Sequence, residues 1–150
     1  MAFIFIGILA TLFMDLWALT LKKIFSISGL DYRFVGRWVY HFKNLKYFHE
    51  SIFQSSAYKH EQFLGTFTHY AIGIIFAKVL LLWQQNPSLI HCLAIGVITL
   101  IAPLFIMQPA FGMGIGASKM PAKFIIWLKS FNAHVSYGLG LYLASRLILR

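Results

Sequence analysis

Long apolar runs separated by shorter polar stretches dominate this chain. Four runs stand at about 2–21, 62–84, 88–108 and 124–148. Each is close to the roughly 20 residues that a helix needs to cross a bilayer. Within them the apolar residues run on rather than alternate, which predicts helices. Between the first two runs the rhythm changes. In LDYRFVGRWVYHFKNL, Phe34, Val35, Trp38, Val39, Phe42 and Leu45 recur at helical spacing, while Arg33, Arg37 and His41 follow one another four apart on another face. This predicts an amphipathic helix over about 31–47, lying at the membrane surface with Trp38 and Tyr40 at headgroup level. The stretch KYFHESIFQSSAYKHE that follows is polar and reads as loop or short helix, with Glu50 and Glu61 as its carboxylates. The expected fold is all-α: an integral membrane bundle of four transmembrane helices with an interfacial helix between the first and second. It forms one membrane domain over residues 1–150.

Composition agrees with the pattern. Of 150 residues, 59% are hydrophobic and 11% charged, where a soluble domain carries about a quarter charged residues. The polar remainder has no room for a soluble domain of ordinary size. The first run has no positive charge before it and Lys22–Lys23 after it, the charge order of a retained helix rather than a cleaved signal. Lys22, Lys23, Arg33, Arg37, Lys43, Lys46 and Lys59 fall between runs one and two, and Lys119 and Lys123 between runs three and four. The link QQNPS has no basic residue. By the positive-inside rule the two basic loops face the cytoplasm and both termini face out. The net charge of +9 therefore reads as topology and contact with anionic lipid headgroups of the bilayer. Nucleic acid is not an expected partner, because no soluble basic domain exists to present such a surface. The single cysteine, Cys92, excludes an intramolecular disulfide.

Candidate chemistry lies within the apolar runs. Counting about 1.5 Å per residue places Asp15, His69, His134 and Gln108 in the cytoplasmic half of the bundle, one on each helix. Gly7, Thr11, Asp15 and Ala18 share a stripe, as do Gly65, His69 and Gly73, and Ser130, His134, Gly138 and Ser145. Small-residue stripes let helices approach closely in lipid, so these polar residues are expected to point inward. Gln108 lies off its helix's stripe, and Pro103 and Pro109 are expected to kink or end that helix.

Several uses of such a layer stay open. Asp and His exchange protons, so the layer suits binding or movement of a proton, cation or small amphiphile. Asp15, His69 and His134 are also three possible metal ligands, and the two histidines are possible haem ligands. A membrane enzyme acting on lipid is the competing class. The plainest reading is a hydrogen-bonded network that fixes helix register, in an accessory protein. Whether the chain is an enzyme, and whether it takes a cofactor, is not legible here. Arg37 and His41 are candidate gates over the layer, with Glu61 near them. In FGMGIGASKMP, Ser118 and Lys119 are candidate contacts to a lipid phosphate, although the spacing is not that of a P-loop.

The stretches MDLWAL, LDYRFVGRW, FHESI, HYAIGI, APLFIMQPAFGMGI and HVSYGLGLY, in that order, resemble a bacterial family, domain-of-unknown-function family 2938. The resemblance spans nearly the whole chain. It implies a four-helix protein of the bacterial inner membrane and an acidic residue just before the second membrane helix, which Glu61 matches. It brings no activity. Small multidrug transporters also pair four helices with one carboxylate in the first, and act as dimers. That outline makes a homodimer an open expectation and stays an analogy.

Overall fold

The computed structural model describes residues 1–149. Among these residues the regular structure is entirely helical: α1 (Ala2–Phe25), α2 (Tyr32–His41), α3 (Glu61–Trp83), α4 (Leu89–Ile98), α5 (Gln108–Ala110) and α6 (Lys123–Ile148), with short 3-10 turns between them. The expected runs are thus helices, with shifted ends. α1 runs on to Phe25 and closes on Ser26 in the left-handed region, with Lys22 and Lys23 in its last turn. Basic side chains there complement the exposed carbonyls of a helix C-terminus.

The third apolar run is not one regular helix. α4 ends at Ile98, Ala102–Met107 forms a π-helical stretch, and α5 adds one turn. Pro103 and Pro109 lack the N–H that an α-helix would use, and a widened turn absorbs the loss. Three helical stretches are long and apolar enough to cross a membrane: Ala2–Phe25, Glu61–Trp83 and Leu89–Ala110. α6 is longer than any of them, yet it carries Lys129, Asn132, His134 and Arg146 and does not join that class.

The chain forms two compact units. The first comprises Met1–Gly29, Tyr70–Leu100 and the segment from Ser130 onward. Its core is Ile6, Ala10, Ala77, Leu80, Cys92, Ile95, Tyr137, Leu141 and Ala144. Small residues bring its helices together. A Cβ on Gly7 would lie 2.5 Å from Ile74 Cα, and one on Gly96 would lie 2.5 Å from His134 O. The outward faces carry large exposed apolar side chains, among them Leu12, Leu16, Ile75, Leu82, Leu143 and Leu147. Ser88 and His91 cap α4, and Cys92 is fully buried, so this pair packs as structure.

The second unit comprises Leu30–His69 and Ile101–Lys129. Its smaller core is Val35, Ile52, Ala110 and Phe111. Asp31 caps α2 by accepting from Arg33 N at 3.0 Å. Here one expectation is overturned in detail. Spacing put Arg37 and His41 on a polar face apart from Val35, yet α2 buries Val35, Gly36, Arg37 and His41 together. Only Arg33 of the three basic positions is exposed. The reason lies in what faces α2.

Candidate functional site

In the first unit, Asp15 and Tyr70 meet. Gly7 brings the backbones of α1 and α3 together, since a Cβ there would lie 2.5 Å from Ile74 Cα, and Gly73 makes room for the Thr11 side chain, whose Oγ1 a Cβ would meet at 2.1 Å. One and two turns further along, Tyr70 donates its hydroxyl proton to Asp15 Oδ2 at 3.0 Å. Both residues are half-buried. Beside Asp15 on the same helix, the Trp17 indole donates to Asn132 Oδ1 at 2.8 Å.

His134 is positioned by the contact of α6 with α4. Thr99 Oγ1 lies 2.6 Å from His134 Nδ1 and 2.5 Å from Gly96 O. A hydroxyl has one proton to give. The carbonyl only accepts, so Thr99 donates to Gly96 O and His134 Nδ1–H donates to Thr99. A neutral His134 therefore carries its proton on Nδ1. Nearby in this unit, Tyr137 donates to Gly73 O at 2.6 Å.

The second unit is built where α2 crosses the start of α3. A Cβ on Gly36 would sit 1.8 Å from Glu61 O, and one on Gly65 would sit 1.8 Å from Tyr32 O. Only glycine permits this approach. It brings Tyr32 OH to 2.9 Å from His69 Nε2, with the rings stacked at 4.4 Å. It also brings Arg37 to Glu61 in a two-pronged pair: Nε donates to Oε2 at 2.8 Å and Nη2 donates to Oε1 at 3.0 Å. Arg37 Nη1 donates in addition to Ile52 O at 3.2 Å and Ser55 O at 3.0 Å. The Arg37 and Glu61 side chains are 10% and 11% exposed, which makes this a structural clamp among buried groups.

A second constellation adjoins it. His41 Nδ1 lies 2.7 Å from His49 Nε2, the rings stacked at 5.0 Å, and both residues are buried. Burial holds both imidazoles below the ordinary histidine range, helped for His49 by His41 and for both by Lys46. The segment around His49 is fixed by the turn after α5: His49 N donates to Ala110 O at 2.9 Å and Ile52 N donates to Phe111 O at 3.1 Å. Gly112, at φ 85°, leaves room for Glu50 O, which a Cβ would approach to 1.9 Å.

The expected polar residues are therefore distributed as follows. Asp15 and His134 belong to the first unit, His69 and Gln108 to the second. Asp15 meets Tyr70, His134 meets Thr99, and His69 meets Tyr32. Gln108 is buried, and its Oε1 makes no hydrogen bond within the described residues. Ser118 and Lys119 are exposed beside the Gly114–Gly116 turn. Among the described residues, no three His, Cys, Asp or Glu side chains are placed to hold a metal ion. Sequence reasoning passed over Tyr32, Tyr70, Thr99 and His49. Tyr70 looked like an ordinary apolar-run residue, Tyr32 stood at the start of the amphipathic segment, and His49 lay in a stretch read as loop or short helix.

A family described as a protein of unknown function, DUF2938, matches residues 4–148. The chain belongs to that family. No curated protein and no solved structure matches it. In this DUF2938 member, the motifs that carried the resemblance coincide with the packing just described. MDLW holds Asp15 and Trp17, VGRW holds Gly36 and Arg37, and MQPA holds Gln108 and Ala110.

Proposed function

We propose that this chain is a multi-pass protein of the bacterial inner membrane that binds and passes a proton or small cation at Asp15. The observation that carries this reading is a half-buried carboxylate midway along an apolar helix, held by the Tyr70 hydroxyl at 3.0 Å. An ionised carboxylate at mid-span costs at least about 2.5–3.5 kcal/mol on insertion scales, so a chain that keeps one uses it. A tyrosine hydroxyl orients the carboxylate without neutralising it, and leaves it able to exchange a proton or coordinate a cation. His134, with its proton held on Nδ1 by Thr99, is a further proton-exchanging group in the same unit.

In this reading α6 is the fourth span. Between its exposed Lys129 and Asn132 and its exposed Arg146, the polar residues of the intervening stretch are directed inward: Ser136, Tyr137 and Ser145 are buried, while Leu139 and Leu143 are exposed. A helix whose polar residues face protein can cross lipid at a whole-helix hydropathy below that of a solitary span. The basic loops then lie in the cytoplasm, with α2 at the inner surface and both termini outside.

A second reading has its own support. Asp15, His69 and His134 each have a neutral hydroxyl partner, as a network that only fixes helix register would require. Reconstituted vesicles separate the two. With an imposed pH or cation gradient, the parent protein collapses the gradient faster than protein-free vesicles. Asp15→Asn, which keeps the hydrogen-bonding shape, abolishes the difference without loss of thermal stability. Equal leak from parent and variant, with stability lost in the variant, selects the register network instead.

A further inference from the structure

Away from Asp15, the second unit contains a cleft of about 370 Å³, lined by Lys46, Phe48, His49, Glu50 and Ser51 together with the Gln54–Ser55 turn. Its wall is firmly built. Arg37 holds the carbonyls of Ile52 and Ser55, and the backbone N–H groups of His49 and Ile52 are held by Ala110 O and Phe111 O. The Ser55 hydroxyl is turned back onto Ile52 O. Lys46 and Glu50 are exposed and bring opposite charges to the same small space.

A second observation points to a ligand. His49 is 6% exposed, yet its Nδ1 makes no hydrogen bond. Ala110 O accepts from the His49 backbone N–H and lies near this ring, but not in hydrogen-bonding geometry with Nδ1. A buried polar atom left unpaired costs about 1–3 kcal/mol, so a partner for it is expected. The pairing with His41 is compatible with two tautomers, and His49 Nδ1 is a donor in one and an acceptor in the other. If His41 Nδ1–H donates to His49 Nε2, a neutral His49 carries its proton on Nδ1 and has it to give.

A third observation concerns the surroundings. Leu45, Phe48 and Phe53 are 76%, 71% and 47% exposed, and Lys43 and Lys46 are interleaved with them. Exposed apolar side chains alternating with lysine describe a segment seated among lipid headgroups.

We propose that this cleft binds a phosphate that carries an ammonium group close by, as in a phosphoethanolamine headgroup. Lys46 and Ser51 donate to the phosphate oxygens, joined by His49 in the tautomer that carries its proton on Nδ1, and the Glu50 carboxylate accepts from the ammonium. The charge balance selects this class. A simple phosphate or a phosphoglycerol group satisfies Lys46 but leaves Glu50 facing an anion, whereas a zwitterion satisfies both. The apolar rim favours a membrane lipid as the source over a soluble phosphoethanolamine. The proposal is independent of the Asp15 reading.

The test uses the full chain in detergent micelles, with binding measured for short-chain phosphatidylethanolamine, short-chain phosphatidylglycerol, free phosphoethanolamine and inorganic phosphate. The parent binds the ethanolamine lipid about tenfold more tightly than the glycerol lipid, the worth of one charge-assisted hydrogen bond. Glu50→Gln removes that preference and retains phosphate binding, while Lys46→Ala weakens both lipids about tenfold. Glu50→Lys reverses the preference. Because Lys46 and Glu50 are exposed, these variants fold, which their helical circular dichroism and melting curves report. Tighter binding of the lipid than of free phosphoethanolamine identifies a membrane source, and equal binding a soluble one. Equal affinity for the two lipids in the parent, or indifference to both Lys46→Ala and Glu50→Gln, overturns the proposal.

Discussion

At the scale of single residues, Arg37 organises the second unit. It joins α2, α3 and the Ile52–Ser55 turn through four donated hydrogen bonds that are almost fully buried. Removing one partner of a buried ion pair costs about 3–5 kcal/mol, because the other charge is left without compensation. Glu61→Gln and Arg37→Ala are therefore expected to lower stability in micelles by about 3 kcal/mol each, and the double variant by less than the sum. Denaturation curves for the four proteins check this. The His41–His49 pair gives a pH signature. Burial favours the neutral rings, so the fold binds fewer protons than the unfolded chain once the pH reaches the ordinary histidine range. Stability is then full above about pH 6.5 and falls with decreasing pH below it. Melting temperatures across that range are expected to show the fall, and His49→Gln to flatten it. Arg37 and His41 stood out in the sequence, but as gates on a polar face. Helical spacing reports which residues share a side of α2; it does not report that a glutamate 24 residues on and a second histidine lie against that side.

At the scale of elements, glycine decides which helices touch. The stripes through Gly7, Gly65, Gly73 and Gly138 were visible as spacing, and each glycine stands at a close approach, Gly7, Gly65 and Gly138 to backbone and Gly73 to the Thr11 side chain. Gly36 gave no such signal, because its helix read as a surface element. A methyl group on Gly36 or Gly65 meets backbone at 1.8 Å, so α2 must move away from α3. Gly36→Ala and Gly65→Ala are expected to cost about 1–3 kcal/mol and to weaken the Tyr32–His69 stacking. Gly29→Ala is the control, since its added Cβ finds only Ala18 Cβ at an ordinary 3.6 Å. Comparable losses at all three positions would contradict the close crossing. The break in the third apolar run was legible from Pro103 and Pro109. Its π-helical form was not, because proline says which hydrogen bond is missing and leaves open how the next turn compensates.

At the scale of the whole molecule, the apolar runs were the strongest signal. Three of them are helices long and apolar enough to span a bilayer. The fourth shows why hydropathy alone is incomplete. From Ser136 to Ser145, α6 buries Ser136, Tyr137 and Ser145 and exposes Leu139 and Leu143, and an average that also takes in the exposed Lys129, Asn132 and Arg146 cannot show this. As a fourth span, its Leu139 and Leu143 positions, changed singly to Cys in a Cys92→Ser background, are expected to resist water-borne thiol reagents in intact membranes. Ready labelling of both would remove α6 from the bilayer. Asp15 was visible as one carboxylate in an apolar helix, while its partner Tyr70 was concealed in a run of aromatic and aliphatic residues. The proposal that Asp15 exchanges a proton or cation is tested most directly by infrared difference spectroscopy of the reconstituted protein across pH. The account predicts a carboxyl band that titrates in the parent, vanishes in Asp15→Asn and shifts in Tyr70→Phe. A spectrum in which parent and Asp15→Asn show the same titrating bands would contradict it.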